Sequence, residues 1–141
     1  MTADASEPCT LCRYLEFEVA RHRNDTVVRL AESKIRNAMG RCQDQIEGRV
    51  NLPHAWSCLA VFRLMVGDGF GALDALAHLL DLCERPTDGT AKHPCASGRA
   101  VTRLRITLAH LRCINEKLSG FDWLERATLL GLAVRTGDAE A

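Results

Sequence analysis

The sequence has no surplus of charge of either sign, since 18 lysines and arginines are balanced by 18 aspartates and glutamates. Bulk charge therefore selects neither a nucleic-acid nor a membrane partner. Residues 1–8 are polar, carry two acids and lack both a basic and an apolar region, so they do not read as a secretory signal. No apolar run is long enough to span a bilayer, and the longest, near 57–66, is interrupted by Arg63. Also missing are the signatures of common reaction classes: G-x-S-x-G, a phosphate loop, H-E-x-x-H and paired carboxylates. Gly67, Gly69 and Gly71 look like a phosphate loop only superficially, because they follow a helical pattern rather than a strand and no lysine follows them. An enzyme is therefore not expected. Finally, no segment sustains the polar–apolar alternation of a strand.

What is present is helical periodicity. At 141 residues, 47% hydrophobic and 26% charged, the chain can bury a real core and is expected to be a single helical domain, 1–141. Residues 1–8 and 137–141 are expected to fray, and 86–98 to form the one long loop. Leu11, Leu15 and Val19 share a face of a helix over 10–23. Asn24 or Asp25 caps a second helix, 26–47. Its stripe is Val27, Leu30, Ala31, Ile35, Ala38, Met39, Cys42 and Ile46, and Gly48 stops it. Gly40 inside it suggests a bend or a close helix contact. Pro53 suits the first position of a third helix, 53–66. A fourth, 70–84, aligns Leu73, Leu76, Ala77, Leu80 and Cys83. A fifth runs from 97 or 98 to about 118 with Val101, Leu104, Leu108, Leu111 and Ile114 inward. A last helix, 123–135, is capped by Asp122. Six helices with short connections predict an all-α compact bundle.

Two resemblances touch this pattern. Trp56, Leu59, Ala72 and Leu76 are similar to part of a tetratricopeptide unit, but one unit is too few for an array, and no repeat is assigned. The stretch 66–72, Val-Gly-Asp-Gly-Phe-Gly-Ala, resembles the turn-and-helix segment of Bcl-2-like proteins, which implies groove binding. Phe70-Gly71-Ala72 stands where that family has Trp-Gly-Arg, so the arginine that would pair with a ligand acid is absent.

Seven cysteines is a high count, but it is odd and no export signal accompanies it. Reduced thiols in an intracellular, reducing compartment, cytoplasmic or nuclear, are the expectation. Cys9 and Cys12 sit at the mouth of a helix, where one turn places both sulfurs on one side and the helix N-terminus favours thiolates. His93 and Cys95 could supply two more ligands and complete a structural zinc site, with His22 and Cys42 as alternatives. Three thiolates and an imidazole leave no open position for hydrolysis. Redox use of the C-x-x-C is disfavoured, because no strand or βαβ context surrounds it. Cys42, Cys58, Cys83 and Cys113 fall on or near apolar stripes and read as core. His54, His78 and His110 read as packed or half-exposed, although His54 precedes Cys58 by four residues.

The basic helix 99–117 sets Arg99, Arg103, Arg105, Arg112 and Lys117 against one acid, Glu116. It could follow a phosphate backbone, with Arg21, His22 and Arg23 extending the patch. Its cations form no single stripe and no aromatic residue interleaves them, so a solvated face is the preferred reading. With no reactive constellation, the expected work is recognition by a non-enzymatic helical adaptor or regulatory module with a protein partner and a structural zinc. A nucleic-acid-binding regulator is the alternative. Met39, Phe62, Met65 and Trp123 exceed what one small core is expected to hide, which adds self-association to the expectations.

Overall fold

The computed structural model describes residues 8–50, 52–84 and 96–136, without the side chains of 83, 84, 96–98 and 132–136. Among these residues there are seven α-helices, one 3-10 helix and no strand. They are α1 (Pro8–His22), α2 (Thr26–Leu30), α3 (Glu32–Glu47), α4 (Leu52–Met65), α5 (Gly69–Glu84), α6 (Ala96–Leu111), η1 (Arg112–Lys117) and α7 (Phe121–Thr136).

Helix α4 is the hub, packing against α1, α3, α5 and α6. Its sequence explains the position: Ala55, Cys58, Leu59, Ala60, Val61, Phe62, Leu64 and Met65 are all buried, and a helix apolar on nearly every side belongs inside. Around it α1 contributes Leu11, Leu15 and Val19, and α6 contributes Val101, Leu104, Leu108 and Leu111. Both stripes match the spacing of their sequences. Helix α7 lies on α5 and α6 through Phe121 and Leu124.

Several boundaries differ from expectation. The anticipated helix over 26–47 is broken at Ala31, whose φ of −97° and ψ of 15° leave the helical region. The break accompanies an outward Leu30, which is 82% exposed although the stripe placed it inside. In α5, Ala72, Ala75, Leu76 and Leu79 are buried while Ala77 is exposed, so the core face is offset from the aligned set. The helix expected to reach 118 ends as α-helix at Leu111 and tightens into η1, with Ile114 at φ −120°. Asp122 lies inside the first turn of α7 rather than capping it, and Gly120 accepts the N–H of Leu124 instead. The fifth helix, expected to start at 97 or 98, begins at Ala96, so the end of the stretch assigned to the long loop has helical backbone. Pro8, placed in the frayed start, is buried in α1. The rest of the long loop, 86–95, and both expected frayed ends, 1–7 and 137–141, lie outside the described residues.

Helix ends follow local chemistry. Asn24 Oδ1 accepts the N–H of Thr26 at 3.1 Å, while Asp25 makes no side-chain cap. Past α3 the left-handed residue is Arg49 (φ 57°), not Gly48, and Val50 N–H closes the turn on the Gln45 carbonyl at 2.8 Å. Asp68 Oδ1 accepts the Gly71 N–H at 2.9 Å and so caps α5. Of the large apolar residues expected to overflow the core, Phe62 and Met65 are buried and Met39 packs against it. Trp123 alone stays outside, 67% exposed.

Candidate functional site

The predicted metal ligands meet an unexpected neighbour. Cys9 and Cys12, three residues apart on α1, face Cys58 on α4. Cys9 Sγ lies 3.4 Å from Cys58 Sγ. Cys58 was read as core, and it is buried, yet its sulfur belongs to this cluster. The four-residue step from His54 to Cys58 brings the imidazole to the same small cavity of about 30 Å³, which Arg13 and Arg103 also line. A side-chain hydrogen bond with Cys12 pushes the Cys58 thiol well above the usual thiol range. The bond to Cys9 opposes that shift, and burial and the charges of Cys12 and Cys42 add to it. Cys58 therefore holds its proton.

His93 and Cys95, the other two expected ligands, lie outside the described residues. Among the described residues no group of three or more histidine, cysteine or acidic side chains is arranged to hold a metal ion. None of the described Cys9, Cys12, Cys42, Cys58 and Cys113 is in a disulfide. Of the alternative ligands, His22 bonds Glu18 at 3.1 Å on the surface, and Cys42 is fully buried.

Next to the thiols is a buried carboxylate that sequence reasoning passed over. Glu16 is 3% exposed. Arg103 Nη2 donates to its Oε1 at 2.7 Å and Thr107 Oγ1 donates to the same oxygen at 3.0 Å, while His110 Nδ1 donates to Oε2. The network fastens α1 to α6. The signal was available: Glu16 follows Leu15, is four residues from Cys12 and three from Val19, and so interrupts a buried stripe with a charge.

The basic helix is thereby divided. Arg103 is committed to Glu16, whereas Arg112 bonds Glu125 and lies over the Phe121 ring at 5.9 Å. Arg105 and Lys117 are exposed. The fold does bring Arg21 to Arg103, in a depression of about 640 Å³ also lined by Arg13, Tyr14, Phe17 and His110. His78 is occupied structurally, stacked on Trp56 at 4.2 Å with Nδ1 3.0 Å from the Asp74 carbonyl oxygen.

An exposed apolar surface lies elsewhere among the described residues, where the turns leading into α5 and α7 touch. A Cβ on Gly120 (φ 87°) would lie 2.8 Å from Gly69 Cα, so only glycine permits this approach. Phe70 and Trp123 both line a cleft of about 530 Å³ at this contact, with Gly69, Leu73 and Gly120. Phe70 is 89% exposed. Leu130, 66% exposed, continues the surface along α7 one heptad beyond Trp123, with the half-buried Ala127 between them. Arg63 Nη1 donates to the Gly71 carbonyl, in the first turn of α5, at 2.9 Å.

These features define an all-α bundle with an apolar cleft and a buried thiol cluster. Compared with protein-family models, curated proteins and solved structures, the chain finds no match. Among the described residues no helix is long and apolar enough to cross a membrane.

Proposed function

We propose that this protein is a recognition module that binds an amphipathic helix of a protein partner in the cleft between the starts of α5 and α7. One observation carries the reading: α7 has two apolar faces. Phe121 and Leu124 bury one in the bundle. Trp123, Ala127 and Leu130, at steps of four and three, form a second stripe beside Phe70. Stripes at this spacing are what helix–groove recognition uses, and exposed aromatic anchors dominate interface energies. The Gly69–Gly120 approach sets the backbone that carries Phe70 and Trp123 before a partner arrives, which lowers the ordering cost of binding.

The test is partner capture from the native source across a salt series, with wild type and Phe70→Ser/Trp123→Ser, alongside sedimentation of the purified protein. Apolar docking predicts a discrete partner retained at high salt and lost in the double variant, with its contact at the cleft confirmed by cross-linking from position 123. A concentration-dependent dimer lost in the same variant would make the partner a second copy of the chain. Capture indifferent to the double variant would sink the reading.

A second reading is favoured by the depression around Arg13, Arg21, Arg103 and His110, with Tyr14 and Phe17 beside it. Cations with exposed aromatics suit a single-stranded nucleic acid. Glu16 offsets part of that charge. Affinity falling steeply with salt and lost in Arg13→Ala/Arg21→Ala supports it over the apolar cleft.

A further inference from the structure

We propose that Cys9 and Cys58 form a hydroperoxide-sensitive thiol pair, closing to a disulfide that ties α1 to the central helix α4. The inference is independent of the recognition cleft. It rests first on placement. The two sulfurs approach to 3.4 Å across 49 residues of sequence, so closure to a bond of about 2 Å asks for little more than about an ångström of approach in total. A thiol–thiol contact at the junction of two packed helices differs from a lone cysteine, since the resolving partner is already in place.

The two sulfurs are also unlike each other. Cys9 is partly exposed, in the first turn of the 15-residue helix α1. Arg13, His54 and Arg103 line the same cavity. Cys58 is buried, so a peroxide reaches Cys9 first and Cys58 can only resolve it. The chemistry divides accordingly. Cys9 thiolate attacks the O–O bond of a hydroperoxide, forming a sulfenic acid and releasing the second oxygen as water or alcohol. Cys58 sulfur then attacks Cys9 Sγ, an S–S bond replaces the S–O bond, and the hydroxide leaves as water with the Cys58 proton. Two thiols and one hydrogen peroxide give one disulfide and two waters. The peroxide is the oxidant and the two sulfurs are oxidised.

In the sequence, Cys9 and Cys12 suggested a metal site, with redox use disfavoured for want of a strand or βαβ context. The position that matters for redox is Cys58, which no local spacing reveals. Cys12 also bonds Cys58 but is buried, so Cys9 is the sulfur a peroxide reaches.

The purified full chain is first examined by native mass spectrometry without chelator, then exposed to hydrogen peroxide. Remaining thiols are alkylated and the peptides mapped under non-reducing conditions. The expected result is a metal-free chain that gives one intramolecular Cys9–Cys58 linked peptide, abolished by dithiothreitol. Thermal denaturation should shift upward by roughly 5–15 °C on oxidation and return on reduction. In Cys9→Ser, which changes a partly exposed side chain, neither link nor shift should occur. In Cys58→Ala, oxidised Cys9 should persist as sulfenic acid, trapped by dimedone. A Cys9–Cys12 link, direct over-oxidation of Cys9 in wild type, or one zinc held per chain by these sulfurs would each overturn the proposal.

Discussion

Glu16 shows how one residue can decide an interface. A carboxylate removed from water is tolerated only when its oxygens are bonded, and here Arg103, Thr107 and His110 do this from the neighbouring helix. Glu16→Gln keeps the shape but removes the charge that Arg103 and His110 address. The variant should lose about 1–3 kcal/mol, measured by urea denaturation against wild type. A loss near zero would mean that the network is a passenger of helix packing. Gly40 offers the opposite case. A Cβ there would meet nothing within 4 Å, so neither packing nor a close helix contact requires glycine. Gly40→Ala should stabilise the protein by about 1 kcal/mol through helix propensity alone, visible as a raised melting temperature with an unchanged circular-dichroism spectrum.

At the scale of elements, the legible parts were those set by periodicity. The stripes of α1 and α6 are read directly from their three- and four-residue steps, and Leu11, Leu15, Val101 and Leu104 are buried where expected. The break at Ala31 carries no glycine or proline to announce it. The tightening at η1 likewise occurs in a run, Arg-Cys-Ile-Asn-Glu-Lys, whose composition suits an α-helix. Half of the thiol cluster was legible, because a C-x-x-C is local, and half was not, because Cys58 joins it through tertiary packing. The cleft was the least legible feature. Trp123 looked like surplus core, and Gly120 fell in the connection between the helices ending near 118 and starting at 123. Their joint meaning depends on the Gly69–Gly120 approach. Gly120→Ala should therefore act on two properties at once. It strains a residue held at φ 87° and drives a methyl group against Gly69, costing roughly 1–3 kcal/mol. It should also spread Phe70 and Trp123 apart, read as a change in Trp123 fluorescence that Gly40→Ala does not produce.

The whole molecule is organised around α4, and the buried thiol on that helix makes global stability depend on pH. The Cys58 thiol titrates well above its usual range because Cys12 hydrogen-bonds its side chain and burial disfavours the thiolate. Its folded value is raised above its unfolded one. The associated stability is therefore complete below the unfolded thiol value, about 8.5, and is lost as pH climbs toward the folded value. Over that window the unfolded chain releases a proton that the folded chain keeps, and stability should fall by roughly 1 kcal/mol per pH unit. Cys9, Cys12 and Cys42 act on Cys58 directly, and His54, Arg13 and Arg103 line the adjoining cavity. The measurement is urea denaturation of wild type and Cys58→Ala under reductant, between about pH 8 and about pH 10. Wild type should lose its advantage over the variant as pH rises. Parallel curves would show that Cys58 ionises alike in both states, and a slope surviving Cys58→Ala would assign it to another group. Omitting the reductant and adding peroxide should flatten the wild-type curve, because a disulfide-bonded Cys58 has no proton to lose.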